Sequence, residues 1–452
     1  QNDDGLLLTC DDLGLNSIEV YFHDIYGNVD FCIVELVVQD NMGACQSSPL
    51  TVSGAVETED DAPVADVNVE MNGGLFMDVT DLSGEYGFDN LVEGDDYTVT
   101  PMLDVDPGNG VSTWDLVLIS RHILQVENLD SPYKIIAADA NKSGEVTTLD
   151  MVYIRQVILN MVAGFPNNTS WRFVDADYVF ANPQAPLAEN FPEVINYNNI
   201  SLSDLNADFV AVKVGDVNGS AATNANAGTG NRTFNGSLVL NTEDRTVTAG
   251  ETFTVDFTAE AADLLGYQFT LNFNNAALEL IDIEGEVADA DNFGLALVED
   301  GAITTSWNES TARTIDGKLF GLPFTAKSDA KLSELLSISS RYTVAESYSA
   351  GNGLQDVELT FNGQVAGAGF ELYQNVPNPF EGVTMIGFNL PESTQATLTI
   401  MDVSGKVIKT IRGDFAQGYN EVRVSNIDAT GVLYYQLATD NHTATKKMII
   451  IE

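Results

Sequence analysis

Residues 139–150 carry side chains whose types and spacing could hold a metal ion. Asp139, Asn141, Ser143, the carbonyl of Glu145, Thr147 and Asp150 occupy positions 1, 3, 5, 7, 9 and 12 of a twelve-residue loop, with Gly144 at the turn. Calcium takes six or more oxygen donors in that alternation, the ninth position commonly through water. Residues 104–126 repeat residues 139–161 at an offset of 35. Asp104, Val111, Thr113, Asp115, Val117 and Ile119 recur as Asp139, Val146, Thr148, Asp150, Val152 and Ile154. In this first copy Asp104, Asp106, Ser112 and Asp115 fit the ligand pattern. Gly108 removes the donor at position 5, and Asn109 stands at the turn, so weaker affinity is expected. A third fragment, Asp216-Val217-Asn218-Gly219-Ser220, restarts the motif but puts Ala227 at position 12. It reads as a turn able to lend a metal one oxygen.

Each loop must be held by the helix after it. Val152, Ile154, Val157, Ile158 and Met161 recur at helical spacing, and the same pattern comes after the first loop. A repeat of this size means two copies of one loop–helix unit that bury their faces together. Val146 at position 8 is placed to tie the loops by a short strand pairing. Asp rather than Glu at position 12, with one helix per loop, resembles dockerin modules over residues 104–161. That resemblance implies structural Ca2+ and a helix face offered to a cohesin; the departures at Gly108 and Asn109 weaken it for the first loop. His122 in the first helix reads as a packing or surface histidine. Residues 162–217, with a strand over 209–214, read as an elaboration packed on this unit.

The remainder is mainly β: a string of β-sandwich modules around one small α-helical, calcium-binding module. Alternating stretches 17–22 and 31–38 flank the turn Tyr26-Gly27-Asn28. With Asp24-Ile25-Tyr26-Gly27-Asn28 and Cys32, residues 1–45 resemble the C-terminal part of an immunoglobulin-like (HYR-like) domain, which implies a longer parent protein. Residues 50–103 alternate at 51–56, 67–71 and 97–100, with turn chemistry at 83–88 and 93–95. This order resembles the carboxypeptidase-regulatory-like sandwich, a non-catalytic spacer. Residues 218–234, rich in Asn, Ala, Gly and Thr, read as a linker.

Strands at 237–240, 252–259, 267–273, 302–307, 319–326 and 357–361 predict a further sandwich over 235–365. Its run "VTAGETFTVDFTAE…LLGYQFTLNFNNAALELIDIEG" resembles a cohesin, a family that docks dockerins on one sheet face; the sandwich could equally just space its neighbours. Two partners of one recognition pair in a single chain allow an internal contact or head-to-tail self-association, which would build fibres. Residues 370–452 predict strands at 397–403, 407–411, 420–424, 432–438 and 447–451. Asn375-Val376-Pro377-Asn378-Pro379-Phe380 and Asp402-Val403-Ser404-Gly405 resemble the C-terminal type A sorting domain of type IX secretion cargo in Bacteroidota. The resemblance implies handling by the type IX secretion machinery and an extracellular or cell-surface location.

Charge narrows the function. The net charge is −48 and the first basic residue is Arg121, so a nucleic-acid backbone or an anionic membrane surface is repelled. No apolar run reaches the roughly 18 residues of a membrane span. The chain starts without Met or a signal peptide and reads as a mature form or a fragment. Cys10, Cys32 and Cys45 suggest a partner lost upstream, one free thiol, or three buried thiols. His23, His122 and His442 are scattered, and no catalytic constellation surrounds them. The expectation is a non-catalytic extracellular structural or adhesion protein, stiffened by calcium, with self-assembly into surface fibres open to it. The alternative is the accessory tail of a large secreted carbohydrate-active or proteolytic enzyme whose catalytic domain lies upstream.

Overall fold

The computed structural model describes residues 8–9, 12–39, 49–224, 234–362, 364–365, 370–375, 377–380, 382–390, 393–415, 418–425, 427 and 429–451. It is mostly β, with three α-helices among the described residues. Strands β1 (Gly14–His23) and β2 (Val29–Val38) form an antiparallel hairpin around the turn closed by Asp24, whose Oδ1 accepts from the backbone N–H groups of Tyr26 and Asn28. Cys32 on β2 is exposed; Cys10 and Cys45 lie outside the described residues.

The next sandwich uses β3 (Leu50–Glu57), β4 (Asn68–Met71), β5 (Phe76–Val79), β6 (Glu85–Leu91) and β7 (Tyr97–Met102). Of the turn expected at 83–88, residues 85–88 instead open a strand to Leu91, because Tyr86, Phe88 and Leu91 point inward; Ser83 and Gly84 make the turn before it. The helices α1 (Thr113–Ile123), α2 (Pro132–Ala138) and α3 (Thr148–Ile158) come next, then β8 (Trp171–Asp175), β9 (Ile195–Tyr197) and β10 (Phe209–Lys213). These last three strands cross the expected boundary at 103/104. β10 lies parallel to β3 and antiparallel to β8, and β9 pairs with β7, giving sheets β6-β3-β10-β8 and β5-β4-β7-β9. Trp171, Phe173, Phe209 and Ala211 therefore join the core of Val52, Val69, Met71 and Val99. The other side of the same segment, through Val174, Phe180, Val212 and Val214, packs on Leu116, Ile119, Ile154 and Ile158 of the helices. The elaboration thus packs on the helical unit as expected and also completes the sandwich.

Gly54 marks how closely β3 meets its partner: a Cβ there would lie 2.1 Å from the carbonyl oxygen of Ala207. Gly54→Ala is expected to cost roughly 2–3 kcal/mol through this clash, seen as a lower urea midpoint at unchanged slope.

The third sandwich contains β11 (Ser237–Thr242), β12 (Thr246–Val247), β13 (Thr252–Phe273), β14 (Leu278–Leu280), β15 (Glu284–Gly285), β16 (Phe293–Gly294), β17 (Ala302–Ala326), β18 (Ala330–Lys331), β19 (Leu336–Ser339), β20 (Glu346–Ser349), β21 (Gly353–Phe361) and β22 (Gln364–Val365). The separately expected strands 252–259 and 267–273 are one 22-residue strand, and 302–307 and 319–326 belong to one of 25 residues. Register shifts at Phe257/Thr258, Ala259/Ala262 and Leu264/Gly266 let β13 bend along β17. Phe257, Phe269, Phe320 and Phe324 fill the space inside, Phe257 and Phe320 stacking at 4.7 Å.

The C-terminal unit holds β23 (Glu371–Leu372), β24 (Thr384–Leu390), β25 (Thr394–Asp402), β26 (Val407–Phe415), β27 (Gly418–Val424), β28 (Gly431–Ala438) and β29 (Thr443–Ile450). Sheets β23-β24-β27 and β26-β25-β28-β29 enclose Phe380, Phe388, Leu398 and Tyr435.

Candidate metal loops and the docked face

The loop before α3 closes around two buried carboxylates. Asp139 Oδ1 accepts from the N–H of Ser143 (2.8 Å) and its Oδ2 from that of Gly144 (2.8 Å). Asp150 Oδ1 accepts from the N–H of Asn141 (3.2 Å), and its Oδ2 from the N–H and hydroxyl of Thr147 (2.8 and 3.0 Å). The Ser143 hydroxyl donates to the Glu145 carbonyl (3.2 Å). Hydrogen bonds thus link all six sequence-predicted residues of the second loop to one another. Asp139 and Asp150 are 1% and 0% exposed, so two carboxylates are withdrawn from water. Hard oxygen donors with no sulfur or imidazole suit calcium in chemistry and number.

The first loop is built differently from its sequence expectation. Asp104 turns to Ser170, accepting from its N–H (2.8 Å) and hydroxyl (2.9 Å), and Asp106 is an exposed residue in a left-handed conformation. Neither faces Asp115. Their place is taken by residues 216–221, a hundred positions downstream. Asp216 Oδ1 accepts from the N–H of Ser220 (3.2 Å) and Oδ2 from that of Ala221 (2.7 Å). Asp115 Oδ1 accepts from the N–H of Asn218 (3.2 Å), and its Oδ2 from the N–H and hydroxyl of Ser112 (2.8 and 2.9 Å). Ser220 donates to the carbonyl of Gly110 (2.9 Å).

Most of these bonds repeat those of the second loop, but Asp115 Oδ1 also accepts from the Val217 N–H (2.9 Å) and the Asn218 side-chain amide (3.0 Å), and Asp216 Oδ1 from the Gly219 N–H (2.8 Å). Asp216, Asn218 and Ser220 stand for Asp139, Asn141 and Ser143; Gly110, Ser112 and Asp115 stand for Glu145, Thr147 and Asp150. Lys142 and Gly219, both three residues after the leading Asp, share a positive φ of 54° and 73°. Asn109, one of the apparent defects together with Gly108, exchanges two hydrogen bonds with Ala222 and pins the second segment in place. The signal was present as the spacing of 216, 218 and 220. A contiguous window hid it by continuing to Ala227. The expected strand pairing through Val146 is not found among the described residues; Val111 N–H donates to Gly108 instead.

Electrostatics single out this split loop. Burial first, and then the charge of Asp216, push the Asp115 carboxyl above the ordinary range, and burial does the same to Asp216. Lys213, also buried, donates its ammonium to the carbonyls of Pro107 (2.8 Å) and Val214 (3.3 Å). Desolvation lowers its pKa to about 8. His122 is a packing residue, its Nδ1 accepting from the N–H of Leu129, with burial lowering its pKa.

The two loops fix α1 and α3, and these helices lie on the third sandwich. A helix end leaves backbone groups without partners, and here the strands supply them. Gln268 Oε1 accepts the N–H of Thr113 at the start of α1 (2.6 Å), and the Thr113 hydroxyl meets that of Ser306 at 2.6 Å. At the end of α3, Thr343 donates to the carbonyl of Ile158 and Thr304 to that of Leu159, each at 2.6 Å. Arg121 Nε reaches the Ser310 carbonyl (3.0 Å), and Arg155 reaches Asn308 Oδ1 (2.5 Å). Between these bonds Val117, Leu265 and Tyr348 form a buried apolar contact with Trp114 and Leu354, the rings of Trp114 and Tyr348 5.4 Å apart. Gly266 permits the approach, since a Cβ there would come within 2.9 Å of the Thr113 methyl.

Comparison with known proteins assigns two of the units. Residues 237–365 match the family model described as Cohesin domain, and residues 375–451 the one described as Secretion system C-terminal sorting domain. No curated protein matches the chain. Among solved structures, a cohesin–dockerin complex from Clostridium thermocellum is similar at 12% identity, over 27% of this chain and 94% of that one, with a TM-score of 0.23. The sixth cohesin of scaffoldin B from Acetivibrio cellulolyticus, solved with a dockerin, is similar at 20% identity over 27% and 94%, with a TM-score of 0.22. A cohesin module of a family 33 glycoside hydrolase from Clostridium perfringens is similar at 16% identity over 26% and 90%, with a TM-score of 0.20. The chain is thus an exported protein that carries a cohesin domain followed by a type IX secretion sorting domain.

Proposed function

We propose that this chain is a non-catalytic structural or adhesive segment of a cell-surface or secreted protein, stiffened by two calcium ions bound in a dockerin-like unit. The observation that carries this reading is the shared hydrogen-bonding pattern of the two oxygen-lined loops, in which a leading Asp accepts two backbone N–H groups, a trailing Asp accepts the N-cap N–H and hydroxyl, and a Ser hydroxyl donates to a backbone carbonyl. One would hold calcium through Asp139, Asn141, Ser143, the Glu145 carbonyl, Thr147 and Asp150. The other would use Asp216, Asn218, Ser220, the Gly110 carbonyl, Ser112 and Asp115. Calcium supplies positive charge between carboxylates that repel one another. The protein's own residues do the rest: backbone N–H groups aim each carboxylate inward, and the helices that begin at Ser112 and Thr147 carry the order into the core. Both N-caps form capping boxes through Asp115 and Asp150, so the same carboxylates start the helices.

Isothermal titration of the chelator-stripped full chain tests the reading, with two calcium ions per chain expected. Titration without binding would remove it. Export has its own test. A chain ending at residue 370 is expected to remain in the periplasm while the full chain reaches the medium or the cell surface, as fractionation and immunoblotting would show.

A further inference from the structure

The covered face of the cohesin domain is unusual for a sheet surface. Thr304, Ser306 and Asn308 alternate outward along β17, as solvent-facing residues do, yet Thr304 and Ser306 are wholly buried and Gln268 is 2% exposed. What hides them is α1 and the end of α3 from the same chain. Only nine residues, 225–233, connect the described parts of the two bodies. The connection leaves one body anchored at Ala65, whose N–H donates to the Thr223 carbonyl, and enters the other at Asn235, whose N–H donates to the Leu354 carbonyl. Leu354 itself belongs to the apolar contact between the bodies. A linker of that length holds its partner at roughly millimolar effective concentration.

From this arrangement we propose that the cohesin domain is occupied in cis by the chain's own helical unit, which closes the chain on itself and shuts this face to helical units of other chains. The inference rests on the reading of residues 104–223 as dockerin-like. A free competitor of equal affinity at about 1 µM faces a handicap of roughly a thousandfold against the tethered copy. Head-to-tail contacts between copies meet the same handicap, so fibres do not grow through this face. The recognition is matched to its occupant. Hydroxyls and an amide meet the unpaired ends of two helices, and burial lowers the pKa of the Arg155 guanidinium, an effect the nearby charges of Asp289 and Asp291 partly offset.

The test uses the full chain with a specific protease site placed in the 225–233 segment. After cleavage in calcium at about 1 µM, the two parts are expected to co-elute as one complex the size of the intact monomer. The Gln268→Arg/Ser306→Arg double variant should release them, weakening the contact at least a hundredfold, while its circular dichroism and its count of two calcium ions stay unchanged. Differently tagged intact chains, mixed, should not co-purify. Separation of the cleaved wild-type parts at 10 µM would overturn the proposal, as would co-purification of tagged chains, which would put the contact between copies. Either result with two calcium ions still bound would leave the metal reading standing, so the two failures are told apart.

Discussion

Withdrawal of calcium is expected to lower the melting temperature of the 50–224 body by about 10–20 °C. A site held at a hundred times its dissociation constant adds about 2.7 kcal/mol, and two sites about 5 kcal/mol. In a body of this size each kcal/mol moves the midpoint by about 2–4 °C. Scanning calorimetry of the full chain with and without a chelator measures the shift. The sharper result comes from single variants. Asp139→Ala should lose one calcium and about half the shift, and Asp216→Ala should do the same from 77 positions away. Asp104→Ala should keep both ions, because its carboxylate serves Ser170 instead. If Asp104→Ala lost an ion and Asp216→Ala kept both, the first site would be the contiguous loop after all. An identical melt in chelator would end the calcium reading for both.

Val117→Asp is expected to undock the helical unit from the cohesin domain without unfolding either. Val117 is 0% exposed, but its apolar contact is with Leu265, Tyr348, Trp114 and Leu354, and it stands apart from the core that holds the three helices together. Its burial is therefore a product of docking. An aspartate there would have to lose its hydration beside the indole and phenol rings without a counter-charge, at a cost of several kcal/mol. Undocking avoids that cost by returning the side chain to water. In the protease-site chain, the cleaved parts should separate at 1 µM, with helical content and calcium count unchanged. Loss of helix in this variant would instead assign Val117 to the core of the unit.

Both results turn on which residues meet across long stretches of chain, and that is where the sequence was least legible. The second loop could be read directly, since the residues proposed as its donors lie within twelve positions. The split loop could not, because its hydrogen-bonded halves come from 216–221 and 110–115. The strands of the cohesin domain were visible from their alternation, and β13 and β17 differed only in running on through bulges. Thr304, Ser306 and Asn308 alternate along β17 on the face away from the cohesin core, but the sequence by itself singles none of them out. Their residue types could not tell that another element covers them, because small polar residues suit both water and the ends of a helix.

By itself, the sequence determined the chain's acidity, the mainly β class, the loop at 139–150, the repeated helical pattern beside it, and the resemblance of the last two units to a cohesin and a sorting domain. These depend on neighbours along the chain, where periodicity and spacing carry the information. Tertiary structure decided that β8, β9 and β10 complete the preceding sandwich, that Asp216 rather than Asp104 faces Asp115, and that the cohesin face meets the chain's own helices. Each of those pairs residues roughly 100 to 235 positions apart. Their local sequences are compatible with several partners, and only packing all the units together, with every buried carboxylate and helix end given a place, selects one.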